Sequence, residues 1–225
     1  NAAMCHYNHL NFEETSHLQM DSVYLVDSGG QYLDGTTDIT RTIAIGDPGE
    51  EVCRRFTLVL KGHIALDQAV FPEGTTGTQL DVLARQFLWT EGLDYDHGTG
   101  HGVGSFLSVH EGPQRIGKQF NGHALRAGMV VSNEPGFYKD DAYGMRCENL
   151  VVVREAETSH EDGPLMLRFE ALTAAPFDIR LIDIKLLTSQ EIAWINKYHD
   201  WVRQVQLPNL DGPDSQWLEQ ATRAI

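Results

Sequence analysis

Between Ser22 and Ala44 the chain reads as a β-hairpin or meander. SVYLVD alternates apolar and polar side chains, TDITRTIAI is rich in β-branched residues, and Gly29-Gly30 supplies the expected turn. Such a hairpin puts Asp27 and Asp38 on neighbouring strands, where side chains of one face converge. Pro48-Gly49 breaks the second strand. In EEVCRRFTLVLKGHIALDQAVF the apolar period lengthens: Val52, Phe56, Val59, Leu60 and Ile64 recur at helical spacing, with acids in the first turn. Pro72 and the following GTTG end that segment. A second helix is expected from about Gln79 to Glu91, with Thr78 and Asp81 as a capping box and Gly92 closing it.

Residues 97–112 are Gly-rich with interspersed His and should be irregular or extended. MVVSNEP predicts a strand running into a turn at Pro135-Gly136, ENLVVV a buried strand and DIRLIDIKLL a last strand. Thr188 and Glu191 form a capping box for a helix from Ser189 to about Val205. The polar tail after Pro208 is expected to pack loosely.

Composition narrows the class. The 225 residues, 41% of them hydrophobic, suffice for a real core. No run approaches the roughly 18 apolar residues of a membrane span, and the opening NAAMCHYNHLN lacks the basic flank and apolar core of a secretory signal. A net charge of −15 argues against a nucleic-acid partner. Cys5, Cys53 and Cys147, without any CxxC, make neither a disulfide framework nor a zinc knuckle and fit a reducing, cytoplasmic compartment. Cys147 is expected to be an inert buried residue. Because the chain opens on Asn1, it is expected to be a piece or cleavage product of a longer polypeptide.

The candidate chemistry begins in DSGGQYLDGTTDITR, where Asp27 and Asp38 stand eleven residues apart. His101 in HGTGHGVG, Glu134 in SNEPG and Glu148 in MRCEN follow. Taken singly, each has an ordinary explanation as a turn, surface or satisfied residue. Together, four carboxylates and one imidazole in Gly-rich or apolar settings are what two divalent cations need: carboxylates bridge two ions and offset their charge, and a neutral imidazole completes one coordination sphere. The glycines at 98, 100, 102 and 104 do not fit GxGxxG, and no P-loop lysine follows, so a nucleotide cradle is disfavoured. They suit a backbone that passes close to metals and substrate. A paired-metal site held by oxygen ligands most often performs hydrolysis.

This ordered set and its flanking words resemble the pita-bread metallopeptidases, the family of methionyl aminopeptidase, prolidase and aminopeptidase P. VYLVDSGGQYLDGTTDITRT, HGTGHGVGSFLSVHEGP, SNEPGFY, MRCENLVVV and PFDIRLIDIKLLTSQEIAWINKYHDWVR bring the likeness closest to the Xaa-Pro aminopeptidase branch. The resemblance implies an α+β pita-bread fold, a curved, mostly antiparallel sheet with covering helices. Residues 1–162 would be the catalytic domain without its first helices, and residues 163–225 a C-terminal extension packed on it. An N-terminal region of the same protein would be missing.

The resemblance also implies roles. Asp27 would bind one metal, His101 and Glu134 the other, and Asp38 and Glu148 would bridge both. A bridging hydroxide would attack the carbonyl before proline, with Glu134 as proton shuttle. His110 would stabilise the tetrahedral intermediate, His6 and His97 would wall the proline pocket, and Arg146 would pair with substrate or hold the site's geometry. His17, His63, His123, His160 and His199 are expected to be surface or satisfied histidines. The metals would be Mn2+, with Zn2+, Co2+ or Fe2+ as alternatives, the partner a peptide with proline in second position, and the assembly a cytoplasmic homodimer. The competing readings are a prolidase-type dipeptidase, a metal-free hydrolase of the creatinase type and a non-catalytic peptide-binding module.

Overall fold

The computed structural model describes residues 17–157 and 162–225. Two eleven-residue strands, β1 (Ser22–Tyr32) and β2 (Gly35–Ile45), form an antiparallel hairpin. Its turn is Leu33-Asp34, not the expected Gly29-Gly30. Those glycines lie inside β1, opposite Asp38 and Thr37. They serve close approach rather than reversal: a Cβ on Gly29 would lie 3.1 Å from the Thr37 carbonyl oxygen, and the Gly30 N–H donates to Thr37 Oγ1 at 2.9 Å.

Helix α1 (Glu50–Asp67) follows and ends four residues before the apolar run does. The remainder, Val70–Pro72, is strand β3, paired with a later strand at the sheet's edge. Helix α2 (Gly77–Trp89) starts two residues early, because Thr76 and Gln79 form the capping box instead of Thr78 and Asp81. Asp81 is buried and accepts hydrogen bonds from Arg85 and Thr99 instead. The two helices touch at Gly62, where a Cβ would sit 2.1 Å from the Ala84 carbonyl oxygen.

Short strands β4 (Gly100–His101) and β5 (Arg115–Ile116) pair with each other, as do β7 (Gly136–Lys139) and β8 (Tyr143–Arg146). Strands β6 (Val130–Asn133), β9 (Asn149–Glu155) and β10 (Met166–Ala171) join β3 in a sheet of order β3-β10-β9-β6. Every named strand pair is antiparallel. Strand β9 buries five consecutive residues, Asn149 to Val153, which is why ENLVVV reads as a continuous apolar run.

DIRLIDIKLL is not a strand. It makes two 3-10 turns, Ile179–Leu181 and Ile184–Leu186. The segment repeats at five residues, and the carboxylates of Asp178 and Asp183 accept the N–H two residues on, closing each turn locally. Helix α3 (Ser189–Gln206) has the expected Thr188/Glu191 box. The tail is not loose: α4 (Gly212–Ala221) buries Leu218, and the Ile225 N–H donates to Asn196. Phe177, Leu181, Ile195, Tyr198 and Val202 share one apolar cluster with Phe56 and Val59 of α1. Lys61 reinforces that contact through a buried ion pair with Glu191 at 2.6 Å.

Candidate metal centre

In β1 Asp27 faces Thr40, and in β2 Asp38 faces Gly29, so the two aspartates sit two residues apart on one face of the hairpin. The other pair of carboxylates comes from the sheet. Asn133 and Asn149 are the last partners of β6 and β9, and Glu134 and Glu148 flank them at the sheet's end. Backbone hydrogen bonds fix both: the Glu134 N–H donates to the Thr99 carbonyl at 2.8 Å and the Glu148 N–H to the Thr40 carbonyl at 3.2 Å. His101 is held by its own N–H, which donates to Ser132 Oγ at 2.9 Å. Only glycine fits before it, since a Cβ on Gly100 would meet the Ser132 carbonyl oxygen at 2.0 Å.

Three donor groups result: Asp27, Asp38 and Glu148; His101, Glu134 and Glu148; and Asp38, His101 and His110. Within each, one ligand atom per residue lies within 4.8 Å of the others. The first two groups share Glu148, and the first and third share Asp38.

Asp38 and Glu148 are buried, and Glu134 is nearly so. Burial, then the charges of Glu134 and Asp38, push the Glu148 carboxyl well above the usual range. Burial also raises Glu134, although His101 and Arg146 oppose it. Burial works against the His101 imidazolium, but the hydrogen bond to Asp38 and the Glu134 charge outweigh it and raise that ring to about 9. Two like charges about 4 Å apart repel by about 4 kcal/mol at an effective dielectric of 20. This cluster therefore cannot ionise fully on its own, and hard or borderline divalent cations fit the donor set.

Around the centre lies a cavity of about 840 Å3. Arg146, almost fully buried, donates to Asp27, to Thr40 Oγ1 at 3.0 Å and to the Tyr138 hydroxyl at 2.8 Å. Tyr138 in turn lies 2.9 Å from His97 Nε2, while His97 Nδ1 lies 2.7 Å from the Gly98 carbonyl oxygen. Burial lowers the His97 pKa to about 4, so the ring is neutral. A neutral ring facing a carbonyl carries its proton on Nδ1; Nε2 then accepts from Tyr138. The His110 ring stands edge-on to His101, with centroids 4.3 Å apart.

Residues 1–155 match metallopeptidase family M24, and residues 165–225 match the C-terminal region of peptidase M24. The chain belongs to metallopeptidase family M24. Aminopeptidase P1 of Lotus japonicus is 49% identical over 227 residues, covering 100% of this chain and 34% of that protein. The X-prolyl aminopeptidase of Caenorhabditis elegans, described as a cytosolic enzyme with a di-nuclear active site, is 44% identical with a TM-score of 0.85, over 90% of this chain and 34% of its own. Prolidase from Pyrococcus furiosus is 31% identical with a TM-score of 0.57, over 64% of this chain and 43% of its own. The chain thus spans about a third of the length of the aminopeptidase relatives. Its α+β architecture is the pita-bread fold of the M24 proteins.

The M24 chain brings Asp27, Asp38, His101, Glu134 and Glu148 together, with His97, His110 and Arg146 around them. His6 and His160 lie outside the described residues. His17 and His123 are exposed, whereas His63 and His199 are fully buried. Cys147 is buried, which pushes its thiol up to about 12.

Sequence reasoning gave no role to Thr40, Arg41 or Tyr138. Thr40 Oγ1 donates to Glu148 Oε2 at 2.6 Å. Arg41, on the opposite face of β2, donates to the carbonyls of Glu148, Ala175 and Pro176 and to Asn149 Oδ1, and covers the Phe177 ring. The available signal was a charged residue inside a β-branched strand, which must either face solvent or find many partners.

Proposed function

We propose that the protein carrying this chain is a dinuclear metallo-aminopeptidase releasing the N-terminal residue from peptides with proline second. The observation that carries this reading is Glu148, which joins Asp27 and Asp38 in one donor group and His101 and Glu134 in another, as a bridging carboxylate requires; Asp38, 3.3 Å from His101 Nε2, would be the second bridge. Asp27 would serve one ion, His101 and Glu134 the other. Two bound divalent cations would polarise the scissile carbonyl and acidify the attacking water.

The chain's own residues do the rest. Glu134, whose burial favours a held proton, takes the water's proton and returns it to the imino nitrogen of the leaving proline. His110 hydrogen-bonds the developing oxyanion beside His101. His97, locked by Gly98 and Tyr138, walls the proline pocket, and Arg146 holds Asp27 in place. The oxygen-rich ligand set with one imidazole suits Mn2+. Residues 1–162 act as the catalytic domain and 163–225 as its extension, with the latter as the homodimer contact. A cytoplasmic setting is supported by the cytosolic nematode relative and by the few cysteines. A prolidase is disfavoured by the weaker likeness to the Pyrococcus enzyme and by the match of residues 165–225 to the C-terminal region.

The test is metal content per chain beside hydrolysis of an Xaa-Pro-Pro tripeptide by the full-length protein, with and without Mn2+. Near two metals with release of the first residue supports the reading. Metals with cleavage of dipeptides alone would favour a prolidase. No metal after Mn2+ is supplied would favour a binding module.

A further inference from the structure

Arg115 stands directly across from His101. They are partners in the β4–β5 pair, as are Gly100 and Ile116. Side chains alternate across such a ribbon, so Ile116, fully buried, faces the core while Arg115 leaves on the same face as His101. Arg115 lines the cavity of the metal centre and also a smaller one of about 430 Å3 beyond His101 and His110. The backbone beneath it is braced. Gly102 donates to the Gln114 carbonyl at 3.0 Å, and the start of α2 lies so close that a Cβ on Gly77 would meet the Arg115 carbonyl oxygen at 2.0 Å.

The other long cationic side chains lining the main cavity already have carboxylate partners. Arg85 pairs with Asp81 and Asp94, Lys118 with Asp94, and Arg146 with Asp27. The Arg115 guanidinium is exposed and makes no ion pair or hydrogen bond among the described residues. A fork of N–H donors at the junction of two cavities is complementary to a carboxylate, and it offsets the repulsion that the metal centre's own acids exert on an anionic ligand.

We propose that Arg115 binds the C-terminal carboxylate of short peptide substrates and thereby favours free Xaa-Pro-Xaa tripeptides. This rests on the aminopeptidase reading above. A tripeptide's carboxylate lies two residues beyond the scissile bond, about 7 Å along an extended chain. The base of the Arg115 side chain is roughly 5 Å from that of His101. On this placement a dipeptide's carboxylate, about 3.5 Å from the scissile bond, stops short of the guanidinium, and a longer peptide carries its carboxylate past it.

The experiment compares Xaa-Pro-Pro as free acid and as C-terminal amide, using the full-length Mn2+-loaded protein and its Arg115→Ala variant. The wild type should favour the acid by about tenfold in kcat/KM, chiefly through KM, and the variant should bring the acid-to-amide ratio close to one. In parallel, calorimetry measures the affinity of both proteins for Pro-Pro and for Pro-Pro amide. Should neither tripeptide be cleaved, the aminopeptidase reading fails, and the calorimetric acid-to-amide ratio alone decides the role of Arg115. Equal values for acid and amide in the wild type, or a preference that survives Arg115→Ala, overturns the proposal.

Discussion

Asp27 and Asp38 lie on a diagonal of one hairpin, with Gly29 filling the position directly opposite Asp38. The absent side chain lets the two carboxylates lean toward the same space, into which Glu148 also points. Replacing one shared carboxylate should therefore cost more than losing a supporting residue. In the full-length protein, Asp38→Ala or Glu148→Ala should abolish stoichiometric metal content and lower peptidase activity by more than about 100-fold. Metal analysis with a tripeptide assay checks this, and near-normal activity in either variant would sink the two-metal assignment.

Burial raises the pKa of Glu134 and Glu148, so the cation-free site retains protons that a cation must displace. Cation binding should release protons and tighten as pH rises. Calorimetric titration of Mn2+ in buffers of different ionisation enthalpy reads the release directly. Buffer-independent heats would contradict it.

His110 touches the His101 ring and belongs to one of the three donor groups. As an oxyanion donor rather than a ligand, its replacement by Ala should leave both metals in place and lower kcat by about 100-fold. Loss of a metal instead would make it a ligand.

Arg41 satisfies carbonyls from two distant parts of the chain at once. Arg41→Met would leave buried acceptors unpaired and should destabilise the fold by at least about 3 kcal/mol in urea denaturation. A loss below about 1 kcal/mol would mean that water replaces the guanidinium.

Burial lowers His63 to about 3 and His199 to about 4, against 6.5 when unfolded. Both are neutral when folded at pH 5, whereas the unfolded chain takes up their protons. Their share of the stability is complete above pH 6.5 and is lost as pH falls toward the folded values. Each contributes a slope of up to about 1.4 kcal/mol per pH unit. His63→Gln should make the dependence of stability on pH between 4.5 and 6.5 shallower by up to that amount. The raised carboxyls work in the opposite sense but are common to both proteins, so the difference isolates the histidine. Identical slopes would rule it out.

Local signals were legible without the fold. The Thr188/Glu191 box placed the start of α3 at Ser189, because a cap satisfies orphan backbone groups within one turn. The five proposed ligands were legible as one ordered set suited to two cations, though not the distances between them. Where two local signals competed, packing chose. Leu33-Asp34 took the turn from Gly29-Gly30, Thr76 took the cap from Thr78, and Asp178 and Asp183 bent an apolar run into turns. The sequence by itself determined the periods of the hairpin strands and of α1, the cap of α3 and the inventory of ligands, since each depends on neighbours a few residues away. Only the tertiary structure decided that Asp38 meets Glu148, that Arg41 clamps the C-terminal region to the metal centre, and that Arg115 faces the cleft beside His101. Those contacts join segments far apart in the chain, and their energies come from burial, registry and charge pairing that no local pattern encodes.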